Sequence, residues 1–221
     1  MDLDRASRCG FPEVIFGEGK PAELIVEILR RQADAGQAGF ATRVSVEQAA
    51  TVKKAFPNAS YNPVARTLTL ADSANAADTQ PVVAVISAGS CDATVAEEAL
   101  ETLKWMNVPA ELIEDVGVAG PQRLIKHVPL LQTMSAIVCV AGMEAALPSV
   151  VGGYVNCPII GVPTSVGYGA SFGGVTALLS MLTCCASNVV AVNIDGGFRG
   201  GYVAGMIAKP GTANTASAAG R

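Results

Sequence analysis

Aromatic, charged and histidine residues are scarce in this sequence, and each shortage excludes a class of function. Of its 221 residues 5% are aromatic and 15% are charged, one is histidine, and the net charge is −4 at pH 7. Nucleic acid is therefore not an expected partner, because phosphate backbones are bound by clustered lysine and arginine. The acidic balance also disfavours binding to an anionic membrane surface.

Metal-binding cysteine pairs and long apolar runs are missing as well. The six cysteines include no CxxC pair, so neither a zinc site nor another metal-ligand set is predicted. The most apolar stretch, residues 134–151, is interrupted by Glu144 and Pro148, which favours a strand, a turn and a helix over a membrane span. No signal peptide is visible before the first charged residues, and we expect a reduced, cytoplasmic protein.

The sequence is rich in glycine, alanine and short Val/Ile runs. Strands are predicted at 82–86, 110–114, 136–140, 158–162 and 189–194, and helices at 93–106, 122–131, 144–151 and 173–183. Alternation of this kind is typical of a doubly wound parallel sheet with helices on both faces.

A smaller α/β unit precedes this sheet. Residues 2–20 are predicted to be irregular, helices to cover 21–29 and 45–56, and extended segments to cover 41–44 and 61–70. Residues 72–80 hold no large apolar side chain and are predicted to be a linker. We divide the chain into a small N-terminal α/β domain (1–78), a larger domain that carries the active site (79–209) and a disordered tail (210–221).

Three loops follow predicted strands, at the edge where open α/β sheets bind ligands. SAGSCD at 87–92 offers backbone N–H groups and hydroxyls to a phosphate, or is an ordinary turn with Ser90 or Asp92 as helix cap. AGMEAALP at 141–148 places Glu144 among apolar residues, which suits proton transfer, or lets it cap a helix. PTSVGYGASFGG at 163–174 approaches a ligand closely or packs against another subunit, and it matches no Walker pattern.

Two adjacent cysteines follow the last predicted helix. Val175, Leu178, Leu182 and Cys185 fall on one helical stripe, which predicts that Cys185 continues the core face as a small apolar residue. A nucleophile at this place needs a nearby cation, because the helix dipole opposes a thiolate at a C-terminus.

An N-terminal arm carries four charged residues between its glycines. These are Arg5, Arg8, Glu13 and Lys20. The arm either reaches over a site to bind an anion or is a solvated segment.

Five long motifs carry a resemblance to a known family. They are RCGFPEVIFGEGK (8–20), IEDVGVAG (113–120), VAGMEAALPSVVGG (140–153), VPTSVGYGASFGG (162–174) and VNID (192–195). With them the sequence resembles, over residues 4–207, the LarB family of pyridinium-3,5-biscarboxylic acid mononucleotide synthases, which begin nickel-pincer cofactor biosynthesis. The larger domain is also similar to PurE, aminoimidazole ribonucleotide carboxylase, which implies a PurE-like (flavodoxin-like) doubly wound α/β fold.

The resemblance implies that the substrates are nicotinic acid adenine dinucleotide and CO2 or bicarbonate. In the family the second cysteine of the pair adds to the pyridinium ring, which assigns Cys185 as the nucleophile and makes the ring the missing cation. Glu144 is the matching carboxylate for removing the ring proton. Phosphoanhydride cleavage implies Mg2+, and no organic cofactor beyond the dinucleotide is implied. The PurE-like sheet implies a homo-oligomer with shared sites.

The same resemblance implies further substrate contacts. Four residues of the first loop, Ser87, Gly89, Ser90 and Asp92, would hold ribose and phosphate. The other implied contacts are Gly142, Met143, Gly167, Tyr168, Gly169, Ser171, Phe172, Asp195, Arg5, Arg8, Glu13 and Lys20. Cys91 and Gln122 depart from the family pattern, in which serine and histidine are usual.

Two alternative functions are kept. One is a PurE-type carboxylase or mutase acting on aminoimidazole ribonucleotide, although PurE has a working histidine where this chain has Ala146. The other is a non-catalytic nucleotide-binding module with no dependence on Cys185.

Overall fold

The computed structural model of the protein describes residues 1–70 and 80–209. The predicted tail at 210–221 lies outside the described residues, as does the predicted linker apart from residue 80. The described residues form a four-stranded sheet followed by a five-stranded sheet. None of their helices combines the length and the apolar character needed to cross a bilayer.

The N-terminal unit is a mixed sheet with two packed helices. Its elements are α1 (Arg5–Cys9), β1 (Ile15–Phe16), α2 (Ala22–Asp34), β2 (Gly39–Thr42), α3 (Val46–Ala55), β3 (Ser60–Asn62) and β4 (Thr67–Leu70). The strand order is β1-β2-β4-β3, in which β1 pairs with β2 in parallel and the other pairs are antiparallel. The prediction that 2–20 is irregular was wrong, because this segment supplies both α1 and a strand.

Local sequence explains the two longer helices of this unit. Ser45 caps α3, since its hydroxyl accepts from the Gln48 N–H at 3.2 Å and the Gln48 side chain accepts from the Ser45 N–H at 2.7 Å. In α2 the buried residues are spaced three or four apart, and Ile25 and Leu29 are fully buried against the sheet.

The larger unit is the parallel sheet that the Val/Ile runs predicted. Its elements are β5 (Val83–Ser87), α4 (Ala93–Trp105), β6 (Ala110–Ile113), α5 (Pro121–Ile125), α6 (Val128–Leu131), β7 (Ala136–Ala141), α7 (Leu147–Gly152), β8 (Ile159–Pro163), α8 (Val175–Leu182), β9 (Val189–Ala191) and α9 (Gly197–Ala208). The strand order is β6-β5-β7-β8-β9, and every pairing is parallel. The doubly wound fold class is confirmed.

Helices cover both faces of this sheet, so its strands are buried on both sides. Ala84 and Ile86 of β5 face the cluster that includes α7 and α8, whereas Val83 and Val85 face the cluster that includes α4 and α9. The two units meet through aromatic side chains, because Phe40 of β2 stacks on Trp105 of α4 with ring centroids 5.2 Å apart.

Helix α9 was missed by the sequence analysis. It contains four glycines, which lower its intrinsic helix propensity. In the fold these glycines allow close packing on α4. A Cβ at Gly197 would lie 2.3 Å from the Val95 carbonyl oxygen, and a Cβ at Gly201 would lie 2.5 Å from that of Ala99.

Two predicted helices have different bounds in the structure. The helix predicted at 122–131 is divided into α5 and α6, and Pro129, which has no N–H to donate, stands in the first turn of α6. The helix predicted from Glu144 begins only at Leu147, because Met143 and Ala145 have left-handed backbone conformations with φ of 56° and 50°.

Candidate active site

Three strands end together at one edge of the larger sheet and bring the three predicted loops into contact. These strands are β5, β7 and β8, and β5 lies where the strand order reverses. The loops are 87–92, 141–146 and 164–174. Open α/β sheets bind their ligands at such a carboxyl edge, so the convergence defines the candidate site.

Asp92 joins the ends of these strands. It is 4% exposed, and its two carboxylate oxygens accept from the Thr164 hydroxyl at 2.7 Å and from the Gly89 N–H at 3.0 Å. Burial raises the pKa of Asp92, while the hydrogen bonds from Thr164, Gly89 and the Gly142 backbone oppose that rise. Asp92 was predicted to hold ribose or phosphate; in the structure its carboxylate is engaged by donors of the chain itself.

Ser87 does not lie where the sequence analysis placed it. Its side chain is fully buried and its hydroxyl has no hydrogen-bond partner, so it presents no surface to a ligand in this conformation. It is the last residue of β5, whose five residues are all buried. Gly89 is half-buried and Ser90 is exposed, and both lie at the mouth of the site.

The second loop has a strained backbone at its tip. Met143 and Ala145 adopt positive φ, and the Met143 N–H donates to the Val166 carbonyl at 2.9 Å, which fixes this loop to the third. A Cβ at Gly142 would lie 2.5 Å from the Val166 carbonyl oxygen, so this position requires glycine. Glu144 is exposed beside them, and the apolar enclosure expected for it is not formed by the described part of this chain.

The third loop holds two aromatic side chains out of the protein. Tyr168 is 81% exposed and Phe172 is 72% exposed, and Phe172 begins a run of three residues with positive φ. Ser171 is buried against Gly167 within the loop. Gly169 has φ of 54° and lies between them. Exposed aromatic residues beside a strained backbone are typical of a surface that contacts a ligand or another chain.

Asp195 anchors this loop from the segment between β9 and α9. Its carboxylate accepts from the Ser165 N–H at 2.8 Å, and its own N–H donates to the Pro163 carbonyl at 2.8 Å. Asp195 was predicted as a substrate contact, and the structure places it at the base of the loop.

The sequence analysis missed a charged pair behind Asp195. Arg43 of the N-terminal unit donates to the Asp195 carbonyl, and its Nε lies 3.2 Å from Glu98 Oε1. Glu98 is 3% exposed, and burial raises its pKa while Arg43 opposes the rise. The sequence of α4 could have indicated this pair, because Glu98 is a charged residue at a position on the apolar, buried face of that helix.

Cys185 lies at the opposite edge of the sheet from this site. Helix α8 leaves the carboxyl edge and runs back, so its end, and the cysteines after it, lie near the start of β9. Glu144 precedes the six-residue α7 and Cys185 lies beyond its far end, a separation of at least about 9 Å along that helix. The described chain therefore does not bring the two predicted catalytic residues together.

Cys185 is exposed rather than part of the core face, so that prediction was wrong. Helix α8 buries Ala177 and Met181 against the sheet, and its exposed stripe carries Leu179 and Leu182 instead. Cys185 lines a cavity of about 460 Å³; the other lining residues are Ser149, Gly152, Gly153, Val155, Asn156, Ala186, Ser187 and Asn188.

The N-terminal arm forms a second cavity, of about 450 Å³, against the start of α9. Arg5 and Glu13 line it opposite Phe198 and Tyr202. Arg8 is paired with Asp2 on the surface instead. Lys20 is half-buried, and its carbonyl accepts from the Gln48 side chain at 2.7 Å. Arg5, Arg8 and Glu13 are therefore gathered around Asp2, which lines this cavity, pairs with Arg8 and donates its N–H to Glu13 at 2.6 Å, whereas Lys20 lies apart from them.

Metal ligands are not gathered either. Within residues 1–70 and 80–209, no three His, Cys, Asp or Glu side chains are arranged to hold a metal ion.

The fold and its three converging loops define a PurE-like α/β protein with an added N-terminal domain. Residues 1–72 match the family model for the LarB/PurE-like N-terminal domain, and residues 82–218 match the model for AIR carboxylase. The chain belongs to the AIR carboxylase family and carries the LarB/PurE-like N-terminal domain in front of it.

Similar proteins are found among curated sequences and solved structures. The chain is 37% identical over 216 residues to an uncharacterized protein of Methanocaldococcus jannaschii, covering 95% of this chain and 83% of that protein. It is 29% identical over 134 residues to the "Probable N5-carboxyaminoimidazole ribonucleotide mutase" of Methanobrevibacter smithii, covering 58% of this chain and 37% of that protein. The crystal structure of a single-residue variant of Treponema denticola PurE2 is 20% identical, with a TM-score of 0.47, and the match covers 57% of this chain and 78% of that one. The crystal structure of Treponema denticola PurE is also 20% identical, with a TM-score of 0.46, and the match covers 56% of this chain and 77% of that one.

Proposed function

We propose that this member of the AIR carboxylase family carboxylates the pyridinium ring of nicotinic acid adenine dinucleotide. The products are pyridinium-3,5-biscarboxylic acid mononucleotide and AMP, and the reaction begins the synthesis of a nickel-pincer nucleotide cofactor. The observation that carries the proposal is the combination of a LarB/PurE-like N-terminal domain with a PurE-like site whose loops contain no histidine.

The missing histidine disfavours the PurE-type reaction. The only histidine of the sequence is His127, which lies between α5 and α6 on the way to the start of β7, at the edge away from the loops. The position before Leu147-Pro148 is Ala146. A proton transfer at the carboxyl edge would therefore use another group, and Glu144 is an exposed carboxylate in the second of the three loops.

The proposed chemistry is covalent catalysis. The Cys185 thiolate adds to C4 of the pyridinium ring and forms a neutral dihydropyridine, whose C5 is nucleophilic. The C5 carbon attacks CO2 and forms the new carbon–carbon bond. Glu144 accepts the proton from C5, and the C4–S bond breaks with its electron pair returning to sulfur, which restores the aromatic ring. Water then cleaves the phosphoanhydride and releases AMP.

Within the described residues no three His, Cys, Asp or Glu side chains are grouped to hold a metal ion, and the carboxylate of Asp92 accepts hydrogen bonds from Thr164 and Gly89. We propose that any Mg2+ arrives with the pyrophosphate of the substrate, as is usual for this ion.

The separation of Cys185 from Glu144 supports a site shared between two copies of the chain. In this proposal Cys185 of one protomer enters the carboxyl edge of its partner, so that a homo-oligomer is needed for activity. An exposed apolar surface on α8 and its neighbours is available for the contact; it comprises Val150, Tyr154, Val175, Leu179, Leu182 and Val190.

A product assay tests the reaction. The protein is incubated with nicotinic acid adenine dinucleotide, bicarbonate and Mg2+, and the products are analysed by mass spectrometry. We expect AMP and a mononucleotide heavier by one carboxylate, and no product from Cys185→Ser. Unchanged dinucleotide would refute the proposal; carboxylation of aminoimidazole ribonucleotide in a parallel reaction would support the PurE-type alternative, and tight dinucleotide binding without turnover the non-catalytic one.

Subunit mixing tests the shared site. Cys185→Ser and Glu144→Gln are each expected to be inactive, and mixing them with exchange of subunits should restore roughly a quarter of the sites, because each site takes one residue from each copy. No recovery, despite exchange demonstrated with labelled subunits, would contradict sharing.

A further inference from the structure

A charged pair connects the N-terminal unit to the loop at the carboxyl edge; its carboxylate, Glu98, is buried and its cation, Arg43, is half-buried. Arg43 follows β2 with φ of 55°, an uncommon conformation for arginine that turns the chain towards the larger unit. Its Nε faces Glu98 of α4 at 3.2 Å, and its terminal nitrogen donates to the Asp195 carbonyl.

Glu98 holds the start of α9 as well as the arginine. Its second oxygen, Oε2, accepts from the Phe198 N–H at 3.0 Å. A Cβ at Gly197 would lie 2.8 Å from the same oxygen, so α9 begins in close contact with the carboxylate. Both Glu98 oxygens are thus used, as expected for a carboxylate that is 3% exposed.

Asp195 is the link between this pair and the third loop. Arg43 fixes its carbonyl, and its carboxylate accepts at 2.8 Å from the N–H of Ser165, which follows the end of β8 closely. The chain of contacts runs from Glu98 through Arg43 and Asp195 to Ser165. It joins residues that lie 55 and 152 positions apart in the sequence.

We propose that Arg43 and Glu98 are positioning residues for the loop at 165–174, so that the N-terminal unit determines the geometry of the ligand-binding edge. The effect on substrate rests on the proposed function, because only there does this loop bind the dinucleotide. Neither side chain touches the reacting atoms; both act through Asp195.

Glu98→Gln and Arg43→Gln test the inference, with Glu97→Gln as the matched control. Glu97 is the neighbour of Glu98 on α4, and it also contacts the N-terminal unit, since Asn62 donates to it at 3.1 Å, but it has no contact with Asp195. Arg43→Lys is included as the conservative variant, because lysine keeps the charge but lacks the forked donor that serves two acceptors.

Hydrogen exchange is the first readout, and it does not depend on the identity of the substrate. We expect the amides of 165–174, Ser165 above all, to exchange at least about tenfold faster in Glu98→Gln and Arg43→Gln than in Glu97→Gln, because the anchor of that loop is loosened. Exchange equal to that of the control in both variants would overturn the inference, whatever the activity of the protein.

Kinetics are the second readout. We expect KM for the dinucleotide to rise about tenfold while kcat changes less than about threefold, since a displaced loop weakens binding without removing a reacting group. The double variant should be no worse than the poorer single variant, because both residues act through one contact chain. A wild-type protein without turnover would refute the proposed function alone. With normal turnover, an unchanged KM in both single variants, or additive effects of the two substitutions in the double variant, would refute the positioning role.

Discussion

Replacing Thr164 by valine removes the hydroxyl that donates to Asp92 at 2.7 Å. Both residues are buried, with Thr164 fully inaccessible and Asp92 4% exposed, so no water replaces the lost donor. A buried hydrogen bond to a charged group contributes about 1.5–3 kcal/mol, and we expect Thr164→Val to lower the free energy of unfolding at pH 7 by about 2 kcal/mol. For a chain of this length the melting temperature should fall by roughly 4–8 °C.

The decrease in the free energy of unfolding caused by Thr164→Val should depend on pH. Burial already raises the pKa of Asp92 above its ordinary value of 3.8, so the native state holds this proton more tightly than the unfolded state. The raised pKa of Asp92 therefore adds to the free energy of unfolding at low pH. This contribution is fully present below the pKa that Asp92 has in the unfolded chain, and it is lost as the pH rises through its pKa in the native protein. Thr164→Val should raise the pKa of Asp92 in the native protein further, because a donor to its carboxylate is removed. Each pKa unit of that rise lowers the free energy of unfolding at neutral pH by about 1.4 kcal/mol.

Thermal unfolding followed by circular dichroism between about pH 4 and pH 8 measures this difference. The difference between Thr164→Val and wild type should be largest at neutral to slightly alkaline pH and should shrink towards the acid end. Thr133→Val is the control, because the Thr133 hydroxyl donates at 2.7 Å to the Leu130 carbonyl on the surface and should change stability by less than about 0.5 kcal/mol. A loss of the control's size, or one that does not vary with pH, would refute the argument that Asp92 is a buried and charged junction.

Three other predictions follow from contacts, burial and exposure in the structure. Gly201→Ala should lower the free energy of unfolding by about 1–3 kcal/mol in urea titrations, because its Cβ would lie 2.5 Å from a carbonyl of α4, whereas Gly153→Ala, with its nearest atom at 3.5 Å, should be tolerated. Cys139 should stay unmodified by iodoacetamide in the native protein, as peptide mass spectrometry would show, because complete burial removes access and raises its pKa well above the ordinary value. Leu179→Glu should reduce the mass measured by light scattering if the exposed stripe of α8 is the proposed subunit contact, and an unchanged oligomer would exclude that surface.

The strands of the larger sheet were predictable because a parallel strand covered on both faces needs an uninterrupted apolar run. Helix α9 was not predictable in this way, since its glycines lower helix propensity and their benefit arises only when Gly197 and Gly201 meet α4. The start of α7 was placed too early for a similar reason. Met143 and Ala145 have left-handed backbone conformations, and no local pattern signals them; the Met143 N–H donates to Val166 of the third loop, and the Ala145 N–H donates to Gly142 within its own loop.

The loops of the candidate site could be predicted from the sequence, but the charged residues that anchor the third loop could not. Glycine and serine after a strand mark the carboxyl edge, and the structure brings all three loops together there. Arg43 was missed because its partners, Glu98 and Asp195, are remote in sequence. Periodicity alone predicted that Cys185 continues the core face, because it shows that a helix has a stripe but does not show which of two apolar stripes faces the sheet; here the stripe of Met181 does.

The pairing of Arg43 with Glu98 limits how far the two units can be treated as interchangeable modules. A larger unit expressed alone would lose the cation that faces Glu98, and it would expose the part of α4 that the N-terminal unit covers, including the face of Trp105 on which Phe40 stacks. A fusion that grafts this AIR carboxylase domain onto another N-terminal segment would therefore need a cation at the position of Arg43, or a neutral residue at 98, before any change in its active site could be judged.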